Sequence, residues 1–447
     1  MSEPRATIDG YVADSLYPSN FHQVFTPPWT DAILIHRGLK PPRNARDPFT
    51  LYDLGCGDGL GLILQAASHP EAHFVGIDAM PEHIERGEAL IAELGLGNIE
   101  LRCATFQQAL ASEDAAFAHY VACQGVLAWV SLENRQTLLD LAARLLRPGG
   151  ALTIGYNCFP GWGHVAPFQR AVRALAANKP GDPAARFETA FDAARDLGLI
   201  AKATWTWLDR VRKVLPRDYF AHEYLNDHWQ PLWAEDAIAL SAARGLSFVS
   251  EARTHRLRPE FAYKAKWRAL FDQVDEPGAR ESLIDVATGN WFRTDIYVKD
   301  DAVGLDEAVA TKMRVDGWWA ALVPGATAKF EAKTSAGTIR FANDAARAIM
   351  AHLEGGPAPL SSVPDIGAAD LLNTIDAAFT AGLVMPVDPP AEVPFALATN
   401  ERLRSEGISI NSVASRHGAV EFGRRGRVKP NAAARRRLGV EDVLPAR

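Results

Sequence analysis

Cysteine is scarce in this chain, and long apolar runs are missing. Four of the 447 residues are cysteines, and none of them forms a Cys-x-x-Cys pair. That spacing signals neither a zinc site nor a disulfide framework, so we expect free thiols buried in apolar surroundings and a reducing compartment. The sequence has no run of about 18 apolar residues, so it lacks the usual pattern of a membrane-spanning helix.

A surplus of positive charge is also missing. The formal net charge is −7, with 23% charged and 48% hydrophobic residues. This composition is typical of soluble globular proteins and gives no reason to expect nucleic acid as a partner. The N-terminus has no basic stretch followed by an apolar run, so the sequence predicts no signal peptide and a cytoplasmic location. The length predicts two or three domains.

Strands and helices alternate in the first third of the chain. After a lead-in over residues 1–45, which includes a short predicted helix, residues 46–165 form the first predicted domain. Its predicted strands cover residues 49–54, 73–77, 99–103, 120–123 and 151–156. Its predicted helices cover residues 60–67, 81–94 and 132–146. Short connections between alternating elements predict an α/β fold, with a mostly parallel, doubly wound sheet covered on both faces.

The alternation of predicted strands and helices ends after residue 165. Apolar residues at three- and four-residue spacing predict a helical middle domain over residues 166–301. Residues 302–415 mix predicted helices with short strands, which favours a smaller α+β domain. A winged-helix-like form is one arrangement that fits this pattern. Residues 416–447 are rich in Arg and Ala and are predicted to be a solvated basic tail. A substrate-docking arm is the alternative for this tail.

A glycine-rich run occupies residues 53–59, directly after the first predicted strand of the sheet. Gly55, Gly57 and Gly59 allow a tight turn and let a ligand lie close to the backbone. A dinucleotide loop reads G-x-G-x-x-G, whereas the third glycine here comes one residue early. The carboxylate of Asp53 would repel a pyrophosphate but suits the cationic amino-acid part of S-adenosylmethionine. The loop therefore favours S-adenosylmethionine over a dinucleotide.

A second carboxylate follows the next predicted strand. Asp78 ends that strand, and an acidic side chain there suits the two hydroxyls of a ribose. The alternative is a purely structural glycine-rich turn with a surface aspartate. We favour a cofactor site whose first part is formed by Asp53, Gly55, Cys56, Gly57, Gly59, Asp78 and Ala79.

Residues 51–156 resemble a class I methyltransferase domain. Within them, residues 98–105 are similar to the strand and turn that usually border the adenine. The resemblance implies that Ala104 and Thr105 also line the cofactor. Many members have Asp at the position of Ala104, so this chain lacks a usual partner of the adenine amino group.

A narrower resemblance extends over most of the chain. Residues 124–130 and 155–162 are similar to bacterial proteins in which a methyltransferase domain precedes a methyltransferase regulatory domain. The same family is also resembled at residues 219–225, 245–248 and 291–293. This family includes lysine methyltransferases of outer-surface proteins. The resemblance therefore implies a methyltransferase that modifies lysine side chains of a protein acceptor.

The same resemblance extends the predicted cofactor site to Gln124 and Gly125. Family members often have His at the position of Gln124 and Asp at the position of His119. We expect both positions near the reactive end of the cofactor.

Three residues are candidates for handling the acceptor. Trp129, Tyr156 and Asn157 follow parallel strands at their carboxyl ends, where open sheets bind ligands. A lysine amine must lose its proton before methylation, because its free pKa is about 10.4. An aromatic-lined channel would favour the neutral amine, and Tyr156 and Asn157 could orient it. The alternative is that the large aromatic residues, Trp162 included, belong to the core.

The pair His222-Glu223 suggests a zinc peptidase only superficially. That motif needs a second His four residues after the first, and position 226 is Asn. We therefore predict no metal site and expect a domain-packing helix with a buried polar pair.

Two alternatives to protein-lysine methylation stay open. One is methylation of a small molecule or a glycan, and the other is a non-catalytic, cofactor-binding scaffold. We expect residues 1–165 to bind the cofactor alone and the later domains to select the acceptor, while a homodimer stays open.

Overall fold

The structure is a computed structural model. It describes residues 19–112, 117–198, 200–213, 217–300, 302–405, 412–421 and 432–440, together with the backbone of residues 7–8 and 11–12. The helices are α1 Pro27–His36, α2 Leu60–Ser68, α3 Pro81–Leu94, α4 Phe106–Ser112, α5 Leu132–Leu145, α6 Ala166–Ala176, α7 Pro183–Asp196, α8 Lys202–Val211, α9 Arg217–Tyr224, α10 Ala234–Ala242, α11 Pro259–Ala262, α12 Ala265–Phe271, α13 Pro277–Thr288, α14 Glu307–Asp316, α15 Asp344–Leu353, α16 Ala368–Thr380, α17 Ala396–Ser405 and α18 Ala432–Arg437. The strands are β1 Thr7–Ile8, β2 Tyr11–Val12, β3 Thr50–Leu54, β4 His73–Asp78, β5 Ile99–Cys103, β6 Ala118–Gln124, β7 Leu146–Asn157, β8 Leu246–Glu251, β9 Phe292–Lys299, β10 Trp318–Ala321, β11 Glu331–Thr334, β12 Gly337–Arg340, β13 Ala358–Pro359, β14 Val384–Val387, β15 Ser412–Val413 and β16 Val420–Glu421.

A seven-stranded sheet organises the core, in the order β5-β4-β3-β6-β7-β9-β8. The first five of these strands pair in parallel, and β9 runs antiparallel to both of its neighbours. The predicted Rossmann-like, mostly parallel sheet is therefore confirmed. The chain reverses its direction of winding between β3 and β6, and open sheets bind ligands at such a switch point.

Local sequence signals set the bounds of several elements. Pro81 stands at the first position of α3, where its fixed φ suits a helix and its missing N–H costs nothing. Gly95 caps the other end of α3 in the left-handed conformation, with φ +66°. Both boundaries are those that the sequence predicts.

The boundary between α5 and β7 differs slightly from the prediction. The sequence predicts a helix to residue 146 followed by a loop at residues 147–150. The structure instead ends α5 at Leu145, and β7 starts at Leu146, which pairs with Ala118 of β6 before the register shifts. Regular pairing with β6 resumes only at Ala151, and Gly149 has φ +73°, so Pro148 and the glycines that follow it still produce an irregular segment at residues 147–150.

The helical prediction for residues 166–301 is wrong at two segments. β8 and β9 join the core sheet, and β9 pairs with β7 over its whole length from Ala151 to Asn157. The sheet therefore extends beyond residue 165. A fragment ending there would leave β7 as an uncovered edge, so the expectation that residues 1–165 bind the cofactor alone loses its physical basis.

The C-terminal region packs against helix α1, near the N-terminus. Its sheet has the order β13-β10-β14, and β11 and β12 form a separate hairpin. The helices predicted within residues 302–415 include α15 and α16. The rings of Trp29 in α1 and Phe379 in α16 lie 4.7 Å apart in an edge-to-face contact. The winged-helix-like form stays a prediction.

The basic tail is only partly as expected. Arg437, at the end of α18, is buried, and its Nη1 lies 3.3 Å from Oε2 of Glu354. This part of the tail therefore packs on the C-terminal region, while residues 422–431 and 441–447 lie outside the described residues. None of the described helices is long and apolar enough to cross a membrane.

The cysteines also differ from expectation in one respect. Cys123 and Cys158 are buried and Cys56 is half-buried, whereas Cys103 is exposed. Cys103 ends β5, which is an edge strand of the seven-stranded sheet among the described residues.

Candidate active site

The glycine-rich loop is fastened to the end of the neighbouring strand. The backbone N–H groups of Gly55 and Cys56 both donate to the carbonyl oxygen of Ile77, at 2.8 and 3.2 Å. Gly59 closes the turn by donating to the carbonyl of Cys56 at 3.1 Å and then caps the start of α2. The loop thus has a fixed position between β3 and β4.

Gly57 is the loop residue that faces open space. Its φ is +57°, and a Cβ built on it would meet no heavy atom within 4 Å. A side chain would therefore be disfavoured by the backbone conformation and would also enter the space above the loop. Gly59 differs, because a Cβ there would lie 2.9 Å from Cδ2 of Leu101.

Asp78 is oriented by the backbone around it. Its Oδ2 accepts from the N–H of Gly57 at 2.9 Å, and its Oδ1 accepts from the N–H of Met80 at 2.9 Å. Nδ1 of His83 lies 3.4 Å from Oδ1. The carboxylate predicted to hold the ribose thus also supports the loop, and Ala79 follows it directly.

Asp53 is a second carboxylate close to Asp78. Burial raises the pKa of Asp53 to about 7, and the negative charge of Asp78 adds to this rise. An ionised Asp53 is therefore costly without a cation nearby. The ammonium group of an amino-acid moiety would supply that cation.

The predicted adenine side of the site begins at the end of β5. The N–H of Ala104 donates to the carbonyl of Asp78 at 3.0 Å, which brings the two predicted cofactor residues together. Thr105 forms two hydrogen bonds with Gln108. Its N–H donates to Oε1 of Gln108 at 2.9 Å, and its Oγ1 accepts from the N–H of Gln108 at 3.3 Å. This reciprocal pair caps the start of α4.

The lead-in covers the outer side of the loop, which the sequence analysis missed. The hydroxyl of Ser19 donates to Oδ2 of Asp58, and Nε of Arg86 lies 3.6 Å from the same oxygen. Helix α3 also approaches closely, because a Cβ on Gly87 would lie 2.5 Å from the carbonyl oxygen of Asp58. Asp58 therefore faces away from the space above Gly57.

Gln124 and Gly125 lie at the carboxyl end of β6, on the other side of the switch point. The N–H of Gly125 donates to the carbonyl of Gly155 in β7 at 2.9 Å. Oε1 of Gln124 is buried without a hydrogen-bond partner among the described residues. A buried acceptor without a donor is costly, so this oxygen suits a ligand that brings one.

His119 is not where the resemblance suggested. It lies near the amino end of β6, where Nδ1 accepts from the N–H of Thr50 at 3.2 Å and Nε2 lies 2.9 Å from Nη1 of Arg147. Burial and the charge of Arg147 lower its pKa to about 4. The expectation that His119 lies near the reactive end of the cofactor is wrong, because the ligand edge is at the opposite end of the strand.

Tyr156 is fully enclosed in an ionic network. Its hydroxyl donates to Oδ2 of Asp295 at 2.6 Å, and Arg293 contacts the same carboxylate at 2.8 Å. The side chain is 0% exposed. Successive side chains of a strand point to opposite faces, so Tyr156 and Asn157 do not share a face. These contacts favour a supporting role for Tyr156, and its predicted contact with the acceptor stays a prediction.

Asn157 has a different partner, on α9. Its Nδ2 donates to Oε1 of Glu223 at 2.9 Å, and Nε1 of Trp229 donates to the same oxygen at 2.6 Å. Tyr219 donates to the other oxygen of Glu223 at 3.2 Å, and the side chain of Trp129 is a further donor. Burial raises the pKa of Glu223 to about 7, and these donors partly oppose that rise.

Tryptophans extend from Glu223 to the surface. The ring of Trp162 lies 5.8 Å from those of Trp207 and Trp229, and 6.2 Å from that of Trp291. Trp162 is 3% exposed and Trp291 is 57% exposed. Within the described chain, Nε1 of Trp162 is buried without a hydrogen-bond partner. We call Trp129, Trp162, Trp229 and Trp291 the tryptophan group.

Trp129 and Asn157, two of the predicted site residues, both donate to Glu223. His222 and Glu223 are both buried on α9, as expected of a packing helix. The central position of Glu223 was not foreseen, nor was Trp229. The available signal was a carboxylate inside a strongly aromatic stretch, because an isolated carboxylate among apolar side chains needs donors of its own.

Comparison with known proteins agrees with this geometry. Residues 51–150 match the family described as "Methyltransferase domain", and residues 216–299 match the family described as "Predicted methyltransferase regulatory domain". The chain therefore contains an S-adenosylmethionine-dependent methyltransferase domain, followed by a region that matches the predicted regulatory domain.

The fold is shared along most of the chain with PKMT2 from Rickettsia typhi, a structure determined in complex with AdoHcy. The TM-score is 0.66 at 18% identity, over 91% of this chain and 86% of that one. An uncharacterized protein of Synechocystis is 24% identical over 79% of this chain and 71% of its own length. Trans-aconitate 2-methyltransferase of Methylobacterium radiotolerans is 33% identical over 34% of this chain and 53% of its own length.

The residues present fit the cofactor of this class. The space above Gly57 is open, which lets a ligand approach the backbone. The pKa of Asp53 is raised, so a cation beside it would stabilise the ionised carboxylate. Oε1 of Gln124 is buried without a partner among the described residues, so a hydrogen-bond donor would stabilise it. An amino-acid moiety with an ammonium group satisfies both needs.

Proposed function

We propose that this protein transfers methyl groups from S-adenosylmethionine to lysine side chains of a protein acceptor. The observation that carries this proposal is the tryptophan group, which extends from the exposed Trp291 to the buried carboxylate of Glu223. A lysine side chain is an aliphatic stem with a cationic end. Aromatic faces suit the stem and also the methylated ammonium.

Cofactor binding and orientation of the acceptor would fall to residues on opposite sides of the switch point between β3 and β6. Asp53, Gly57 and Asp78 would hold the cofactor, which supplies an activated methyl group when bound. Asn157 and Trp129 would orient the amine at the carboxyl ends of β6 and β7. The apolar surroundings disfavour the charged amine and so favour its neutral, nucleophilic form. Alignment of this kind can contribute several kcal/mol, up to roughly 7–11, without a strong base.

PKMT2 from Rickettsia typhi is a protein lysine methyltransferase, and the similarity in fold to it supports the choice of a protein acceptor. It covers the regions beyond the methyltransferase domain as well, and those regions provide the surface that a folded partner needs. Specific protein interfaces bury roughly 1,200–2,000 Å².

The test uses the full-length protein with methyl-labelled S-adenosylmethionine and a bacterial extract. We expect label in protein, at lysine side chains located by mass spectrometry, and loss of that label when the lysines are acetylated beforehand. The Gly57→Val variant is the control for transfer that does not depend on the loop. Label confined to small molecules or glycans, or no transfer by a protein that binds the cofactor, would contradict the proposal.

A further inference from the structure

We propose that Glu223 is a positioning residue: it fixes the side-chain amide of Asn157 so that Oδ1 of Asn157 faces the acceptor amine. This inference rests on the proposed function. Glu223 lies on α9, outside the methyltransferase domain proper, and would act through Asn157 rather than on the reacting atoms.

An amide side chain is nearly symmetric in shape but not in its hydrogen bonding. Its nitrogen carries two donors and its oxygen is an acceptor, while the two ends have nearly the same shape. An ionised carboxylate only accepts hydrogen bonds. Because Oε1 of Glu223 lies 2.9 Å from the amide of Asn157, the NH₂ end must face Glu223. Oδ1 then takes the other side, where no described residue donates to it.

Glu223 can impose this choice because it is itself fixed. It is 1% exposed, and Trp229 donates to the same oxygen that Asn157 contacts, at 2.6 Å. Tyr219 donates to its second oxygen at 3.2 Å. The partners named here are all donors, so the surroundings fit the acceptor-only form of Glu223 and hold its plane in place.

The free oxygen of Asn157 lies on the same face of the sheet as the predicted cofactor residue Gln124. Gly155 and Asn157 are two residues apart in β7 and therefore share a face of the sheet. Oε1 of Gln124 lies on that face, because a Cβ on Gly155 would be 2.5 Å from it. Two amide oxygens without donors among the described residues thus lie on one face of neighbouring strand ends, on Gln124 and on Asn157.

This orientation suits an amine nucleophile. An amide oxygen can accept an N–H of the amine and leave the nitrogen lone pair free to point along the line of attack. The reversed amide would set its own N–H donors against those of the amine.

The experiment measures kcat, KM for a lysine acceptor and S-adenosylmethionine affinity in full-length variants. Glu223→Leu removes the acceptor, and we expect kcat to fall about tenfold or more while cofactor affinity stays within about twofold. Glu223→Gln keeps one oxygen for Asn157 and Trp229, with its NH₂ toward Tyr219, and should lose no more than about threefold in kcat. Tyr219→Phe is the matched control: it removes the donor to the second oxygen of Glu223 but leaves Trp229 and Asn157 on the first, so kcat should fall by less than about twofold.

A double-variant test separates positioning from general support. In the Asn157→Ala background, Glu223→Leu should lower kcat by less than about twofold further, because two residues that act as one unit are not additive. If Glu223→Leu fails to fold, Glu223→Asp replaces it, since its shorter side chain keeps the charge but withdraws the oxygens from Asn157.

Three outcomes would overturn the inference. The first is full kcat in folded Glu223→Leu or Glu223→Asp. The second is an equal loss in Glu223→Gln and Glu223→Leu, which would assign the effect to charge. The third is full additivity with Asn157→Ala. A wild-type protein that methylates no lysine overturns the proposed function along with this inference, so the two failures are distinguishable.

Discussion

The backbone N–H of Gly57 donates to Oδ2 of Asp78 across 2.9 Å. This bond joins the glycine-rich loop to the carboxylate at the end of the next strand, so the two sequence signals of the cofactor site form one structural unit. A change at either residue should therefore affect both the loop and the predicted ribose contact.

Asp78→Ala should weaken S-adenosylmethionine binding. It removes a charged acceptor from a hydroxyl pair, and hydrogen bonds to charged groups contribute about 1.5–3 kcal/mol. The expected loss of affinity in calorimetric titration is therefore roughly tenfold to 150-fold. Asp78→Asn is the comparison, because one oxygen remains and the loss should be smaller. Unchanged affinity in a folded Asp78→Ala protein would rule out the ribose contact.

Gly57→Val should abolish cofactor binding while most of the fold remains. The left-handed conformation costs a β-branched residue about 1–2 kcal/mol, and the side chain would enter the open space above the loop. Gly95→Val is a matched control, since Gly95 has a similar φ of +66° and open space around a Cβ but lies at the far end of α3. Both variants should lose similar thermal stability, and only Gly57→Val should lose binding. Equal affinity in the two variants would mean that the ligand does not approach Gly57.

Binding of S-adenosylmethionine near pH 6 should release a proton. The pKa of Asp53 is about 7 because burial and then Asp78 raise it, so the carboxyl is mostly protonated at that pH. An ammonium group beside it favours the charged form and lowers the pKa again. Titration calorimetry in buffers of different ionisation enthalpy measures this proton. It should disappear in Asp53→Asn, and an unchanged proton count in that variant would assign the release to another group.

The same residue should make the free protein less stable as pH rises from about 4 to about 7. A folded-state pKa of about 7 lies above the unfolded value of about 3.9, so the folded chain binds more protons in this window. Above pH 7 the effect is constant. Denaturant unfolding of Asp53→Asn should show a flatter pH dependence than the wild type, and parallel curves would contradict the raised pKa.

Asp388→Ala should strongly destabilise the protein. Nη2 of Arg43 lies 2.8 and 2.9 Å from the two carboxylate oxygens, and Nε2 of His69 lies 2.9 Å from one of them, all three residues being buried. Removing one partner of a buried ion pair typically costs about 3–5 kcal/mol. Asp344→Ala, at an exposed ion pair with Arg347, is the control and should change the free energy of unfolding by about 0.5 kcal/mol or less.

Low pH should destabilise the protein through the ion pair between Asp388 and Arg43. Burial alone would raise the pKa of Asp388, but Arg43 and His69 hold it well below its usual range. Its contribution to stability is therefore present above the unfolded pKa of about 3.9 and is lost as pH falls below it. The difference between wild type and Asp388→Ala in denaturant unfolding should shrink toward low pH. A difference that does not change with pH would contradict the charged pair.

A fragment ending at residue 165 should neither unfold cooperatively nor bind S-adenosylmethionine. It lacks β8 and β9, and β9 pairs with β7 over residues 151–157. An uncovered hydrophobic strand also promotes aggregation. Size-exclusion chromatography and thermal unfolding measure the first expectation and calorimetry measures the second. A monomeric, cooperative fragment with normal affinity would show that the parallel half of the sheet is sufficient.

Local signals in the sequence determined the glycine-rich loop and its flanking elements. Pro81 and Gly95 bound α3 as predicted, because a fixed φ and a left-handed cap act within one or two residues. The alternation of strands and helices also predicted that Gly57 and Asp78 lie at one edge of the sheet, and the resemblance added Gln124 to them. Parallel strands present their carboxyl ends together, so chain order alone brings these residues to one side.

Only the tertiary structure decided how distant segments meet. Asn157 and Glu223 are 66 positions apart, and Ser19 and Asp58 are 39 apart. No periodicity relates such pairs, because their contact depends on how α9 and the lead-in pack against the sheet. Strands β8 and β9 were missed for the same reason: a short strand gains its stability from the neighbours it pairs with, and the sequence of the strand does not name them.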